Sequence, residues 1–234
     1  MSAGYGQPLV QVPGTNLYLI AETFPEREDW IMNICILGFG NVGSRLAHLW
    51  SEAGHTLSVG LRSNSKHGDA ARKAGLTVSE PHIAVQSADV VVLAVPWEAV
   101  KGALSNAGPL DGKILIDATN PLNSDLRVLT PKEGSSAQQI VAWFPAARVV
   151  KAFNTIGAAN MGKSAFDLYY CSDDKEAAEI VQGLIKETGM RPVNAGPLRN
   201  AGYLEHLAGL WIFLAMSGQI QGAFGFNLVE EKGR

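Results

Sequence analysis

The sequence predicts an α/β protein in which a mainly parallel, doubly wound sheet is covered by helices on both faces. Short apolar runs alternate with segments of helical spacing, a pattern typical of strand–helix–strand crossover units. The run at 90–95 is apolar at every position, as expected for a strand that is covered on both sides. A glycine-rich turn follows the first strand of this series and leads into its first helix. The pattern continues to the C-terminal end, where it predicts a small α/β extension.

Composition indicates a globular protein and excludes several other classes. Of the 234 residues, 47% are apolar and 18% are charged, whereas disordered chains are poor in apolar residues and rich in charge. The net charge is −3 and the 19 Lys and Arg residues are scattered, so we expect no nucleic acid partner. The longest stretch without a polar residue, 207–216, is about half of what a membrane crossing needs. We therefore expect no membrane contact.

The cysteines and the first segment of the chain point to the cytoplasm. Cys35 and Cys171 each lie inside an apolar, strand-like run, which is typical of buried thiols in a reducing compartment. No secretory signal precedes Arg27. Residues 1–31 differ in composition from the rest of the chain, and we predict that they form an arm outside the fold. The apolar run 17–20 could be a strand, but no hairpin signal comes after it.

From residue 33 onward the alternation of strands and helices is regular. The first strand, 33–37, is a short apolar run, and the helix 42–53 has apolar residues at helical spacing and stops before Gly54. By the same criteria the later strands are 56–61, 90–95, 113–117, 149–153, 169–171 and 191–194. The later helices are 98–106, 136–143, 175–188 and 200–223. We place the doubly wound domain at 32–155 and the C-terminal extension at 156–234.

The glycine-rich turn matches the pattern G-x-G-x-x-G between a strand and a helix. Its residues are Gly38, Phe39, Gly40, Asn41, Val42 and Gly43. The first glycine permits a tight turn, the second lets a pyrophosphate approach the backbone, and the third allows the helix to pack closely on the strand. The helix N-terminus then offers free N–H groups to the pyrophosphate. This context predicts a dinucleotide site.

The end of the second strand indicates which dinucleotide binds. An NAD site usually has an acidic residue there to accept hydrogen bonds from the ribose. Between Glu52 and Asp69 the chain has no acid, but it has Arg62, Ser63 and Lys66. Arginine and lysine can neutralise a 2′-phosphate, and serine can donate a hydrogen bond to it. These residues favour NADP(H), with a solvated basic loop as the alternative interpretation.

Three further loops should meet at the carboxyl ends of the strands, where the other end of the dinucleotide lies. They are Val95-Pro96-Trp97, Thr119-Asn120-Pro121 and Phe153-Asn154-Thr155. Asparagine and threonine can orient a carboxamide or a second ring through neutral hydrogen bonds, although ordinary loop capping is the alternative. Trp97 could stack on a ring or pack in the core.

No residue stands out as a catalytic acid or base, and none as a metal ligand. The five histidines show no ligand spacing, and no tyrosine is followed four residues later by lysine, the catalytic pair of short-chain dehydrogenases. Oxidation of an alcohol needs a general base, whereas hydride exchange between two ring cofactors mainly needs the rings to be held face to face. We therefore predict neither a catalytic residue nor a metal site.

Five sequence blocks resemble the NADPH-dependent coenzyme F420 reductase family, over about residues 33–230. They are 36–43, 59–62, 94–98, 151–155 and 194–198. The same blocks are similar to the cytosolic domain of STEAP-type metalloreductases, which use NADPH with a flavin. The resemblance implies that hydride passes between NADPH and a deazaflavin (coenzyme F420) or a flavin such as FMN or FAD. It also implies that Arg62 and Ser63 hold the 2′-phosphate and that the loops at Pro96, Asn120 and Asn154 surround the nicotinamide. The family often has serine immediately before the arginine, where this chain has Leu61.

The sequence leaves two questions open, namely what buries the last predicted helix and which function the protein has. The segment 204–223 is apolar nearly all round, which predicts a buried helix, either in the core or at a homodimer interface that shapes the acceptor pocket. Two other functions stay open at this point, a non-catalytic NADP-binding sensor or scaffold and an imine or ketone reductase. The sequence does not identify the acceptor or the direction of hydride transfer.

Overall fold

The computed structural model describes residues 9–11, 18–20, 30–163, 165–218, 220 and 222–229. The chain divides into two compact units, 1–31 and 32–234. In the first unit, strand β1 (Leu9–Gln11) pairs antiparallel with β2 (Tyr18–Ile20). The apolar run near residue 18 therefore has a strand partner after all. That partner precedes the run in the chain, so the absence of a hairpin signal after the run did not exclude a strand.

The second unit contains an eight-stranded sheet in the order β10-β9-β8-β7-β6-β3-β4-β5. Its strands are β3 (Asn33–Leu37), β4 (Thr56–Gly60), β5 (Thr77–Ser79), β6 (Val90–Leu93), β7 (Ile114–Asp117), β8 (Arg148–Lys151), β9 (Asp167–Ser172) and β10 (Arg191–Asn194). All neighbouring strands are parallel except β8 and β9, which are antiparallel. The predicted fold class, a Rossmann-like doubly wound sheet with a small C-terminal extension, is confirmed.

The described residues contain seven α-helices, of which six connect strands and the last follows β10. They are α1 (Asn41–Glu52), α2 (Gly68–Lys73), α3 (Pro81–Gln86), α4 (Val100–Ala107), α5 (Ser136–Trp143), α6 (Lys175–Glu187) and α7 (Ala201–Met216). The sequence pattern did not predict α2, β5 and α3, because elements of three to six residues are too short to show a periodicity. The predicted helix at 98–106 begins as a 3-10 turn, Trp97–Ala99, before it becomes α4.

The core lies on both faces of the sheet, and β6 is buried along its whole length. Both cysteines are free thiols in this core, as predicted. Burial raises the pKa of Cys35 to about 11 and that of Cys171 to about 12. Both thiols therefore remain protonated and unreactive at neutral pH.

One prediction about the last helix is wrong, and of the two alternatives for its burial the structure contradicts the core. The helix ends at Met216 instead of continuing to 223, because the chain turns at Ser217 and at Gly218, where φ is +69°. The helix is also only half buried: Tyr203 is 76% exposed, Phe213 60% and Met216 71%. One side packs on α5 and β9, and the opposite side faces outward although it is apolar. No described helix combines the length and apolar character that a bilayer crossing demands.

Candidate functional site

The site lies at the switch in strand order. The chain passes from β3 to β4 on one side of the sheet and later from β6 to β7 on the other. Because β3 and β6 are parallel neighbours, the loops after them diverge and leave a crevice at their carboxyl ends. In an open α/β sheet this crevice is where ligands bind.

The glycine turn has the geometry that the sequence predicts. Gly38 has φ +96°, and a Cβ there would lie 2.5 Å from the Ala94 carbonyl oxygen. A Cβ at Gly43 would collide with the Gly38 carbonyl oxygen, so this glycine is required for close packing. A Cβ at Gly40 would meet nothing within 4 Å, so the turn is open on the side where a ligand would approach.

The first helix leaves its N-terminal N–H groups available. Gly40 caps α1 without a side-chain hydrogen bond, and Ser44 makes the first backbone bond to the Gly40 carbonyl, at 2.9 Å. Free N–H groups at a helix N-terminus bind anions such as a pyrophosphate. The turn therefore fits the pyrophosphate of a dinucleotide, both in shape and in charge.

A cavity of about 550 Å³ opens on one side of the turn, and we call it the arginine cavity. It is lined by Gly38, Phe39, Arg62, Lys66, Val95, Pro96, by Ala99 of the 3-10 turn and by the α4 residues Ala103 and Asn106, among others. Two smaller cavities share Arg62 with it and add Ser63 and Glu80. The structure thus brings together the three residues predicted to bind a 2′-phosphate.

An acid that the sequence pattern did not reveal lies at this corner. Glu80 follows β5 directly, and its carboxylate accepts a hydrogen bond from the Ser63 N–H at 3.0 Å. The prediction of NADP(H) relied on the absence of an acid between Glu52 and Asp69. Glu80 lies outside that segment, directly after β5, the strand next to β4 in the sheet. Parallel pairing of β4 and β5 was the signal that could have revealed it.

A second cavity, of about 650 Å³, opens on the other side of the turn, and we call it the asparagine cavity. Its walls include Asn41, Val42, Arg45, Ala118, Asn120, Phe153, Asn154, Gly157, Ala158, Trp211 and Ile212. The two loop asparagines are locked together. Asn120 Nδ2 donates to the Asn154 carbonyl at 3.0 Å, and Asn154 Nδ2 donates to Asn120 Oδ1 at 3.1 Å.

The loop after β8 is strained and carries two unpaired polar atoms. Phe153 has φ +63°, which a non-glycine residue rarely adopts, and its buried ring meets Trp50 edge-on at 5.4 Å. Asn154 Oδ1 and Thr155 Oγ1 are buried and have no hydrogen-bond partner within the described part of the chain. Strain of this kind and orphaned buried oxygens cluster at ligand sites, where a ligand supplies the missing partner.

Some predicted residues have other partners. The ring of Trp97 stacks on Trp143 at 5.6 Å, and the Thr119 hydroxyl donates to Asp117 Oδ1 at 2.6 Å. Trp97, Thr119, Pro121 and Thr155 are not among the residues that line the two cavities.

A buried charge cluster lies behind the asparagine cavity, and we call it the Lys151 network. It consists of Asp117, Thr119, Ser136, Lys151 and Glu205. Lys151 Nζ lies 2.9 Å from Asp117 Oδ2 and 3.2 Å from Glu205 Oε1, and it donates to the Thr119 carbonyl at 2.6 Å. The Ser136 hydroxyl accepts from Lys151 Nζ at 2.8 Å. Asp117 also accepts from the Thr119 N–H, so the network fixes the loop that carries Asn120.

No group of three or more His, Cys, Asp or Glu residues in the described ranges could hold a metal ion. The asparagine cavity is similarly poor in ionisable groups. Of the described residues that line it, Arg45 alone is ionisable, and its Nε and Nη2 donate to the Met161 carbonyl at 3.1 and 2.9 Å. The cavity can therefore orient and enclose a ligand, but it offers no carboxylate or imidazole for proton transfer.

Comparisons with known proteins agree with this geometry. The family described as coenzyme F420-dependent NADP oxidoreductase matches residues 33–121. The F420-dependent NADP reductase of Methanothermobacter thermautotrophicus is 30% identical over 216 residues, which are 82% of this chain and 93% of that relative. The metalloreductase STEAP3 of Rattus norvegicus is 33% identical over 179 residues, 73% of this chain but only 35% of that protein. A crystal structure from Arthrobacter sp. FB24, described as a candidate F420-dependent NADP reductase, has a TM-score of 0.76 at 27% identity and covers 85% of this chain and 100% of that one.

Proposed function

Because this chain belongs to the family of F420-dependent NADP reductases, we propose that it transfers a hydride between the nicotinamide of NADP(H) and a deazaflavin or flavin acceptor. As a member of that family it is an NADP oxidoreductase, and the family implies NADP(H) and coenzyme F420 as cofactors. The observation that carries the proposal is the orphaned oxygen of Asn154, a residue in the wall of the asparagine cavity. The carboxamide of a nicotinamide has the N–H group that this oxygen lacks.

The dinucleotide would bind across the glycine turn. Residues 38–43 would hold its pyrophosphate, and Arg62, Ser63 and Lys66 its 2′-phosphate. Val95 and Pro96 would contact the adenosine half, because they line the arginine cavity. This differs from the family resemblance, which implied that the loop at Pro96 surrounds the nicotinamide. Trp97, Thr119 and Pro121 would contribute by shaping the loops, since the side chains of Trp97 and Thr119 are already engaged.

The asparagine cavity would hold the nicotinamide and the acceptor ring. When bound, NADPH supplies the hydride. Asn120 and Asn154 would orient the carboxamide, while Trp211 and Ala158 would enclose the acceptor. Thr155, which lines neither cavity, would contribute by shaping its loop. This cavity lacks a carboxylate and an imidazole among its described residues, which favours exchange between two rings over reduction of a ketone, where a proton donor is needed.

Screening of acceptors tests this proposal. NADPH oxidation would be followed spectroscopically with coenzyme F420, FMN, FAD, ferric chelates and a cyclic imine. We expect turnover with the deazaflavin or with a flavin. Binding of NADPH without turnover of any acceptor would support a non-catalytic sensor or scaffold, and turnover of the imine alone would support an imine reductase.

A cavity-filling variant tests the place of the acceptor. Ala158→Trp would fill the asparagine cavity without touching the arginine cavity. We expect kcat/KM for the acceptor to fall about tenfold or more, because the two rings can no longer meet at reactive distance. The Kd for adenosine 2′,5′-bisphosphate, which lacks the nicotinamide and would lie in the arginine cavity, should stay unchanged. Ala53→Trp, at an exposed position that lines neither cavity, is the matched control. Equal acceptor kinetics in the two variants would contradict this placement.

We further propose that the enzyme is a cytoplasmic homodimer that associates through the exposed face of α7. The two free thiols favour a reducing compartment. Tyr203, Leu210, Phe213 and Met216 are large exposed apolar residues of α7, and exposed apolar patches mark interaction sites. The neighbouring residues Trp211 and Ile212 line the asparagine cavity, so such an interface would also stiffen its wall.

Sedimentation velocity tests the dimer. We expect the wild type to sediment as a dimer and Phe213→Glu as a monomer, because a buried unpaired charge opposes association. Ile83→Glu changes an equally apolar and 52% exposed residue on α3 and should remain dimeric. A monomeric wild type, or a dimeric Phe213→Glu variant, would contradict an interface on α7.

A further inference from the structure

Glu80 is a carboxylate inside the corner proposed for the 2′-phosphate. It accepts from the Ser63 N–H at 3.0 Å and lines both of the smaller cavities that also contain Arg62. A helix-capping role does not account for its position. Glu80 is the N-cap residue of α3, yet its side chain makes no capping hydrogen bond and reaches toward the adjacent loop instead.

The charges at this corner are not paired with one another. Within the part of the chain that the structure describes, the side chains of Arg62 and Lys66 form neither a hydrogen bond nor an ion pair. The Ser63 amide is the one partner of the Glu80 carboxylate among the same residues. Two free cations and a weakly held anion therefore face the same space.

We propose that Glu80 is a specificity-determining residue whose carboxylate competes with the 2′-phosphate of NADP(H) for the Ser63 N–H. The proposal rests on the placement of that phosphate at Arg62 and Ser63. A phosphate monoester brings a charge of about −1.5 to −2, which a neighbouring carboxylate repels. The unphosphorylated ribose of NAD(H) carries a hydroxyl instead, and a carboxylate accepts a hydrogen bond from it.

Two opposing effects then set the preference for the dinucleotide. Arg62 and Lys66 attract the 2′-phosphate, whereas Glu80 occupies an N–H that the phosphate would use and repels its charge. Removing the Glu80 charge should therefore strengthen binding of NADP(H) and slightly weaken binding of NAD(H). Glu80→Gln removes the charge but keeps an oxygen for the Ser63 N–H, so it measures the repulsion alone. Glu80→Ala also frees that N–H and should shift the preference further toward NADP(H).

Calorimetry of nucleotide fragments measures this effect without turnover. The probes are adenosine 2′,5′-bisphosphate and adenosine 5′-monophosphate, with NADPH and NADH as full-length ligands. For Glu80→Gln we expect the ratio of the two fragment affinities to shift about tenfold toward the bisphosphate. The shift should shrink at high salt, because the repulsion between partly exposed charges is screened. An unchanged ratio, or weaker binding of the bisphosphate, would overturn the proposal.

Two controls separate this proposal from its premise. Asp69 lines the same small cavity but pairs with Arg72 at 3.1 Å, so Asp69→Asn should change the ratio less than about twofold. An equal shift in Asp69→Asn would reveal a general charge effect and overturn the competition for the amide. If Arg62→Ala leaves the ratio unchanged, the phosphate placement itself fails. If Arg62→Ala lowers the ratio and Glu80→Gln leaves it unchanged, only the role of Glu80 fails.

Discussion

Lys151→Met is expected to lower the free energy of unfolding by about 3–5 kcal/mol, because it leaves two buried carboxylates without their cation. Lys151 and Asp117 are fully buried, and Glu205 nearly so. A domain is typically stable by only about 5–15 kcal/mol, so the loss is a large part of the total. Methionine fills most of the volume of the lysine side chain, and the effect would therefore come mainly from the lost charge.

Urea unfolding of matched variants measures this loss. Lys175 is 92% exposed and lies 3.8 Å from Glu179, so Lys175→Met should change stability by less than about 0.5 kcal/mol. A triple variant, Lys151→Met with Asp117→Asn and Glu205→Gln, removes the uncompensated charges and should recover part of the loss. If Lys151→Met alone folds too poorly to measure, folding of the triple variant would still show that the uncompensated charges cause the loss. A Lys151→Met protein as stable as Lys175→Met would contradict a stabilising role for the buried lysine.

The same network connects stability to the site. Asp117 accepts hydrogen bonds from the Thr119 N–H and hydroxyl, and Lys151 donates to the Thr119 carbonyl. The next residue, Asn120, is tied to Asn154 in the wall of the asparagine cavity. Because the network fixes the loop before Asn120, we regard Lys151 as a positioning residue. Its ammonium is completely buried and cannot touch a ligand in the cavity.

Local sequence patterns predicted much of the fold and the glycine turn. Residues 33–37, 136–143 and 191–194 have the predicted bounds, because apolar runs and helical spacing are read from neighbouring residues. The glycine turn was predicted residue by residue, since each glycine has a local steric task. The family resemblance seen in the sequence blocks is confirmed by the relatives.

Contacts between distant residues could not be predicted in this way. Glu80 and Ser63 are 17 residues apart, and Ser136 and Glu205 are 69 apart, so only strand order and helix packing bring them together. Burial of α7 in the core of its own chain is contradicted for a related reason, while burial at a homodimer interface stays a prediction. Its sequence is apolar on all sides, but a single helix sequence does not tell which neighbours cover it within the chain.

Arg62→Ala is expected to reduce the preference for NADPH over NADH by about 10- to 100-fold, as measured by the ratio of the two Kd values. Arg62 lines the arginine cavity and the two smaller cavities beside it, where a 2′-phosphate would lie against its guanidinium. A charge-assisted hydrogen bond contributes about 1.5–3 kcal/mol, and an arginine binds a phosphate through two of them in parallel. NADH lacks that phosphate, so its Kd should change little.

The control for Arg62→Ala must remove a positive charge from the same region without removing a cavity residue. Lys73 is exposed in the last turn of α2 and lines none of the cavities at this corner, so Lys73→Ala should leave the ratio unchanged. Salt provides a second check, because the preference of the wild type should fall as ionic strength rises, while that of Arg62→Ala should depend on salt less steeply. Equal ratios in the wild type and in Arg62→Ala would show that the 2′-phosphate binds elsewhere. Among the described residues of this corner, Arg72 is the other arginine, and it could form a bidentate contact with the phosphate only by giving up its ion pair with Asp69.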